Sequence, residues 1–141
     1  MALELNDIWE ESGLLHKWQN NSTVKGVGVT CQCCRDCCME TVPVDTTPGL
    51  DIGQIWTKSR YVAYDIKDDC TVCQNCIDCC LFDAIDMVKV EGSKKLKAAV
   101  DPEKCYGCGV CVVGCDDDAL KMKLVRTPDH IPDAGNGPAY R

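Results

Sequence analysis

Two cysteine runs of the same spacing constrain this chain more than any other feature. The first is Cys70-x2-Cys73-x2-Cys76-x3-Cys80 and the second is Cys105-x2-Cys108-x2-Cys111-x3-Cys115. Each puts three thiols on one tight loop and a fourth at the start of the next element. A lone C-x2-C arises easily, but two complete four-thiol runs, recurring after 35 positions from Cys70 to Cys105, do not. Thiols crosslink a chain through disulfides or through a shared metal, and the two uses belong to different redox compartments. The start, MALELNDIWEES, has neither the basic n-region nor the apolar h-region of a secretory signal. No apolar run approaches the length of a membrane span. A reducing cytoplasm is therefore the expected location, and metal ligation the expected use of the 14 cysteines. Aromatic residues make up only 6% of the chain, so apolar burial is modest and crosslinking must supplement it.

The repeat extends beyond the cysteines. The first half reads as strand Tyr61-Val62-Ala63-Tyr64, cysteine loop, a short helix Leu81 to Ala84, and a strand from Ile85 to Val90. The second half reads as strand Leu96 to Val100, cysteine loop, a short helix Asp116 to Ala119, and a strand from Leu120 to Val125. Leu120, Met122 and Leu124 alternate as one apolar face of a strand. The joining segment Glu91 to Lys95 reads as a polar hairpin loop.

Three thiols brought round one small inorganic core need a closely wrapped backbone. Gly107 and Gly109 permit this in the second loop. The first loop has Val72, Gln74 and Asn75 instead, and Asn75 is the expected left-handed residue. Asp68, Asp69, Asp78, Asp83 and Asp116 to Asp118 are expected to form a solvated acidic face. This spacing is that of iron–sulfur ligation by thiolates.

Residues 61–125 resemble a bacterial-type ferredoxin carrying two [4Fe-4S] clusters. The resemblance implies an α+β, ferredoxin-like dicluster fold of two pseudo-symmetric halves, with small antiparallel sheets and short helices. It also implies a crossed ligand set. Cys70, Cys73, Cys76 and Cys115 would hold cluster 1, and Cys105, Cys108, Cys111 and Cys80 would hold cluster 2. The sequence departs from the family where Leu81 and Asp116 stand in place of the usual proline, and in the extra thiol of Cys79.

Flanking this domain, residues 1–60 are expected to form an N-terminal helix, a cysteine-rich module and a linker, and residues 126–141 an irregular Pro/Gly-rich tail. The helix is expected within residues 1–20, capped by Asn6 or Asp7, with Glu10 and Glu11 near its positive end and Ile8, Leu15 and Trp18 on one face. NNSTVKGVGV reads as a turn and short strand. Cys31, Cys33, Cys34, Cys37 and Cys38 follow. Cys31-x2-Cys34-x2-Cys37 repeats the three-thiol loop without its fourth member, since position 41 is Thr41. A third metal centre would take its fourth ligand from Cys33, Cys38 or Cys79. It would be a third iron–sulfur cluster or a zinc site, the alternative being a redox or partner-binding thiol cluster. With His16 after a helix, a short strand and this C-x-C-C-x2-C-C stretch, residues 10–40 loosely resemble the N-terminal part of some iron–sulfur proteins of anaerobes. Residues 41–60 read as an irregular surface connection anchored by Ile52, Ile55 and Trp56.

The net charge is −7, and two cluster anions would bring it to roughly −11. Such a chain is not expected to bind nucleic acid; it suits docking to basic patches on redox partner proteins. No dinucleotide-binding glycine motif, phosphate loop, nucleophile elbow or H-E-x-x-H occurs. His16 and His130 are isolated and read as surface residues. The expected function is single-electron transfer, as a non-catalytic, ferredoxin-like subunit of a larger anaerobic oxidoreductase complex. The alternative is a metal-handling or redox-sensing module built on Cys31–Cys38.

Overall fold

In the computed structural model, residues 2–19, 29–34, 36–91 and 95–131 are described. Two units emerge. Residues 61–125 form one, and residues 1–60 with 126–141 form the other.

The cysteine-run unit is built from four strands and two short helices. β3 (Tyr61–Asp65) precedes the first cysteine loop. α3 (Asn75–Asp78) ends that loop, and β4 (Ile85–Lys89) follows. β5 (Leu96–Val100), α4 (Val110–Val113) and β6 (Leu120–Leu124) repeat the order at the same 35-residue interval. The halves pair reciprocally. β3 lies antiparallel to β6, with Ala63 opposite Met122, and β4 lies antiparallel to β5, with Met87 opposite Ala98. Each half's first strand thus pairs with the other half's last. Two matching hydrogen bonds extend the exchange. Ile66 N donates to Ala119 O at 2.8 Å, and Asp101 N donates to Ala84 O at 2.8 Å.

The core of this unit is small and rich in sulfur: Val62, Ala63, Cys76, Ala84, Ile85, Ala98, Cys105, Cys111 and Leu120. Leu120 is 1% exposed, but Leu124 on the same alternation is 55% exposed, so the apolar face of β6 runs out towards its end. The expected helices at 81–84 and 116–119 do not form. The helical turns fall earlier, inside the cysteine runs, where the x3 gap from Cys76 to Cys80 and from Cys111 to Cys115 follows one helical turn. Asp83 and Asp118, at φ 48° and 55°, turn the chain out of helix at the expected sites.

In the other unit, α1 spans Ala2–Glu11 and stops at Gly13, φ 71°. Leu14 N donates to Trp9 O and Gly13 N to Glu10 O, a left-handed glycine cap. Asn6 and Asp7 are therefore inside the helix instead of capping it, and Glu10 and Glu11 lie at its carboxyl end. Leu15 and Trp18 lie on β1 (Leu15–Gln19), which pairs antiparallel with β2 (Val29–Cys33). The helix and strand are thus separate elements, with Ile8 55% exposed and Leu15 buried. The turn expected before β2 falls in 20–28, outside the described residues.

The 41–60 connection contains α2 (Val42–Thr46) and a 3₁₀ turn at Ile52–Gln54, closed by a capping box between Asp51 and Gln54. Trp56 is buried. The tail is described as far as residue 131, and the rest of the expected Pro/Gly-rich tail lies outside the described residues. Pro128–His130 form a 3₁₀ turn, Arg126 Nη1 donates to Ser59 O at 2.6 Å, and His130 Nε2 lies 2.8 Å from Lys58 O. Among the described residues no helix is long and apolar enough to cross a membrane.

Candidate metal centres

The reciprocal strand pairing brings the fourth cysteine of each run beside the loop of the other. One cavity is lined by Cys70, Cys73, Cys76 and Cys115. A second is lined by Cys105, Cys108, Cys111 and Cys80, with Cys79. Apart from Met87, every residue lining the first cavity has its counterpart 35 positions away lining the second. Alanines make the room: Ala98 and Ala119 on one side, Ala63 and Ala84 on the other. Four run cysteines thus line each of the two cavities.

The two loops share one backbone path. Gly107 and Gly109 have φ of 71° and 85°, and Val72 and Gln74, their counterparts, have φ of 74° and 71°. Asn75, the residue expected to be left-handed, is the first residue of α3. A β-branched valine at positive φ is held there at a cost of roughly 1–2 kcal/mol. A hydrogen bond from Lys97 Nζ to Cys70 O at 2.5 Å fixes the start of the first loop.

The surroundings of the cavities differ in their aromatic and polar residues. Beside the second, Phe82 stacks on Tyr106, with centroids 4.3 Å apart. Their counterparts beside the first are Asp117 and Thr71, and the Thr71 hydroxyl donates to the Asp117 carboxylate. The other acidic residues of the expected face are exposed, whereas Asp117 is half-buried.

Burial raises the thiol pKa of Cys76, Cys108 and Cys111, and neighbouring thiols add to it. These groups stay protonated unless a cation is bound, and a coordinating cation deprotonates them outright. Ala84 N lies 3.4 Å from Cys80 Sγ and donates to it, as second-shell donors to ligand sulfur do. The donor set fits an iron–sulfur core: at least four sulfurs line each cavity, with small alanine neighbours.

Cys79 is the counterpart of Gly114, and a methyl group added at Gly114 would meet Cys79 Sγ at 3.7 Å. Its thiol donates to Cys76 O at 3.5 Å, and burial pushes its pKa up to about 11.

In the other unit, four of the five N-terminal thiols fall into two groups. Donor atoms of Cys33, Cys38 and Glu40 lie within 4.8 Å of one another, as do those of Cys34, Asp36 and Cys37. Of the sequence pattern Cys31-x2-Cys34-x2-Cys37, Cys34 and Cys37 are thus brought together, and Cys31 belongs to neither group. Burial, helped by Cys38, pushes the Cys33 pKa up to about 12. A hydrogen bond with Asp36, then one with Cys37, pushes Cys34 up to about 11. Burial opposes ionisation of Cys38, but hydrogen bonds from the Glu40 backbone, Cys33 and Thr41 outweigh it and lower its pKa. Glu40 escaped the sequence reading because nothing in a lone glutamate marks it; only its place three residues past Cys37 hinted at the loop. Neither histidine is a plain surface residue. His16 Nε2 is buried without a hydrogen-bond partner among the described residues, and His130 is tied to Lys58 O.

No family model matches the chain. Over 62 residues it is 36% identical to a protein named Ferredoxin from Rickettsia felis, covering 43% of this chain and 51% of that protein. Over 72 residues it is 29% identical to indolepyruvate oxidoreductase subunit IorA of Archaeoglobus fulgidus, covering 48% of this chain and 11% of that subunit. The chain spans about half the length of the first relative and a small part of the second. It therefore contains a cysteine-rich α+β domain, with small antiparallel sheets, that is similar to ferredoxin.

Proposed function

We propose that this chain is an iron–sulfur electron-transfer protein, the ferredoxin-like subunit of a larger oxidoreductase complex in an anaerobic cytoplasm. The observation that carries the reading is the pair of matched cavities, each lined by three thiols of one run and the fourth of the other. Cys70, Cys73, Cys76 and Cys115 would hold one [4Fe-4S] cluster, and Cys105, Cys108, Cys111 and Cys80 the other. Each cluster, when bound, takes up and releases one electron. The chain's own residues do the rest. The reciprocal strands fix the fourth thiols, the alanines leave space, and Phe82 stacked on Tyr106 lines the second site. A subunit role is supported by the likeness to a segment within the much longer IorA. The acidic balance, net −7, suits docking to basic surfaces of redox partners.

Anaerobic purification with iron and sulfide analysis and EPR tests this. About eight irons with matching acid-labile sulfide, reducible one electron per cluster, is the expected result, and about twelve if the N-terminal thiols hold a third cluster. Iron without sulfide, or no iron, overturns it.

A second reading, in which Cys31–Cys38 makes a metal-handling or redox-sensing module, is supported by the two thiol groups of the N-terminal unit.

A further inference from the structure

The β1–β2 ribbon sorts the N-terminal side chains by face. Leu15 lies opposite Cys33 and Lys17 opposite Cys31. Residues paired across a ladder share a face, as do residues two apart on one strand. Leu15, Lys17, Cys31 and Cys33 therefore line one face of the ribbon. The loop after β2 returns Cys38 and Glu40 to Cys33, with donor atoms of all three within 4.8 Å. Cys33 is 4% exposed.

Glu40 is held from two sides. The Lys17 ammonium pairs with its Oε2, and Trp56 Nε1 donates to the same oxygen at 3.0 Å. Trp56 is itself buried, and Lys17 sits 5.0 Å above its ring. The loop is pinned by the Thr41 hydroxyl, which donates to Cys34 O at 3.0 Å. A carboxylate oriented by a cation and an indole, beside two thiols, has the outer support that metal ligands have.

The other group is built differently. Asp36 and Cys37 are exposed, and Cys34 Sγ lies 2.8 Å from Cys37 Sγ. Two sulfurs on one tetrahedral zinc, each about 2.3 Å from the ion, stand roughly 3.8 Å apart. The Cys34–Cys37 contact is a thiol–thiol contact, shorter than a shared ion allows.

We propose that Cys33, Cys38 and Glu40 form a site for one zinc-class divalent ion, distinct from the iron–sulfur cavities. Two thiolates and a carboxylate leave a 2+ ion with net charge −1, and Lys17 offsets it. A site with these three protein donors leaves its fourth position to a further ligand and ties β2 to the loop that follows it. It crosslinks a unit whose described apolar core is small. The proposal rests on the metal-binding reading of Cys31–Cys38 and is independent of the cluster reading.

The test uses the full chain, reconstituted anaerobically with iron and sulfide and then titrated with Co²⁺ as a spectroscopic surrogate for zinc. The wild type is expected to bind one cobalt with tetrahedral visible bands and thiolate-to-cobalt charge transfer, and zinc is expected to displace it. Cys33→Ser removes these bands. Cys38→Ser, at a less buried position, removes them too and guards against a folding defect in the first variant. The double variant Cys34→Ser/Cys37→Ser keeps them. Glu40→Gln weakens cobalt binding about 10-fold or more. No cobalt uptake by the wild type, loss of the bands in the Cys34/Cys37 variant with retention in Cys38→Ser, or four extra irons in place of cobalt overturns the proposal. Failure of the cluster reading would show separately, as a wild type without iron–sulfide that still binds cobalt.

Discussion

Val72 and Gln74 adopt the left-handed angles that Gly107 and Gly109 adopt in the other loop. The first loop therefore carries a conformational cost that the second avoids. Val72→Gly removes a penalty of roughly 1–2 kcal/mol and adds back about 0.5–1 kcal/mol of unfolded-state entropy. A net gain of about 1 kcal/mol in stability is expected, read as a higher urea midpoint at unchanged slope. A lower midpoint would mean that the valine side chain contributes packing worth more than the strain. This feature was legible in the sequence, but only by overlaying the runs. Shifted by 35, the two glycines fall on Val72 and Gln74. Local propensity pointed to Asn75 instead, because asparagine tolerates that region best and the tertiary demand of the loop overrode the preference.

At the level of elements, the four strands of the cysteine-run unit were legible because each is a short apolar stretch bounded by polar residues and repeated once. The helices were not. Four-residue turns carry no periodicity of their own, and the segments expected as helices at 81–84 and 116–119 contain left-handed residues at Asp83 and Asp118. β1 was hidden for a related reason, since Leu15 and Trp18 also fit a helical face until Gly13 is seen to end the helix.

The paired elements also set the two cavities apart. An aromatic stack borders one, and a hydroxyl–carboxylate pair borders the other. A fixed negative charge beside a cluster disfavours the more negative, reduced form. Asp117→Asn is expected to raise the midpoint potential of one cluster by roughly 50 mV, about 1 kcal/mol, and to leave the other unmoved. Spectroelectrochemical titration followed by EPR reads this as one wave shifting; two waves shifting together, or none, would remove Asp117 from any control of potential.

For the whole molecule, the described structure divides where the internal repeat begins and ends, at residues 61 and 125. The N-terminal unit was less readable. Its thiol groups depend on a loop return and on Glu40, Lys17 and Trp56, which lie far apart in sequence and belong to no pattern. Its ribbon brings Cys33 beside Cys38, whereas spacing alone placed Cys31 with Cys34 and Cys37.

The reciprocal pairing of β3 with β6 and of β4 with β5 means that neither half contains its own strand partner, and the fourth cysteine of each run lines the cavity of the other. In symmetry terms, the cysteine-run unit is a twofold dimer written into one polypeptide. A peptide of residues 61–95 alone should therefore be a self-complementary protomer. Two copies would pair β3 of each with β4 of the other, and each would lend its Cys80 to the neighbour's loop. Sedimentation of that peptide under anaerobic iron and sulfide loading should show dimers forming only as the metal is taken up. A loaded monomer would mean that the crossing of the fourth cysteine is dispensable, and that the linker 91–95 does no more than raise the local concentration of one half around the other.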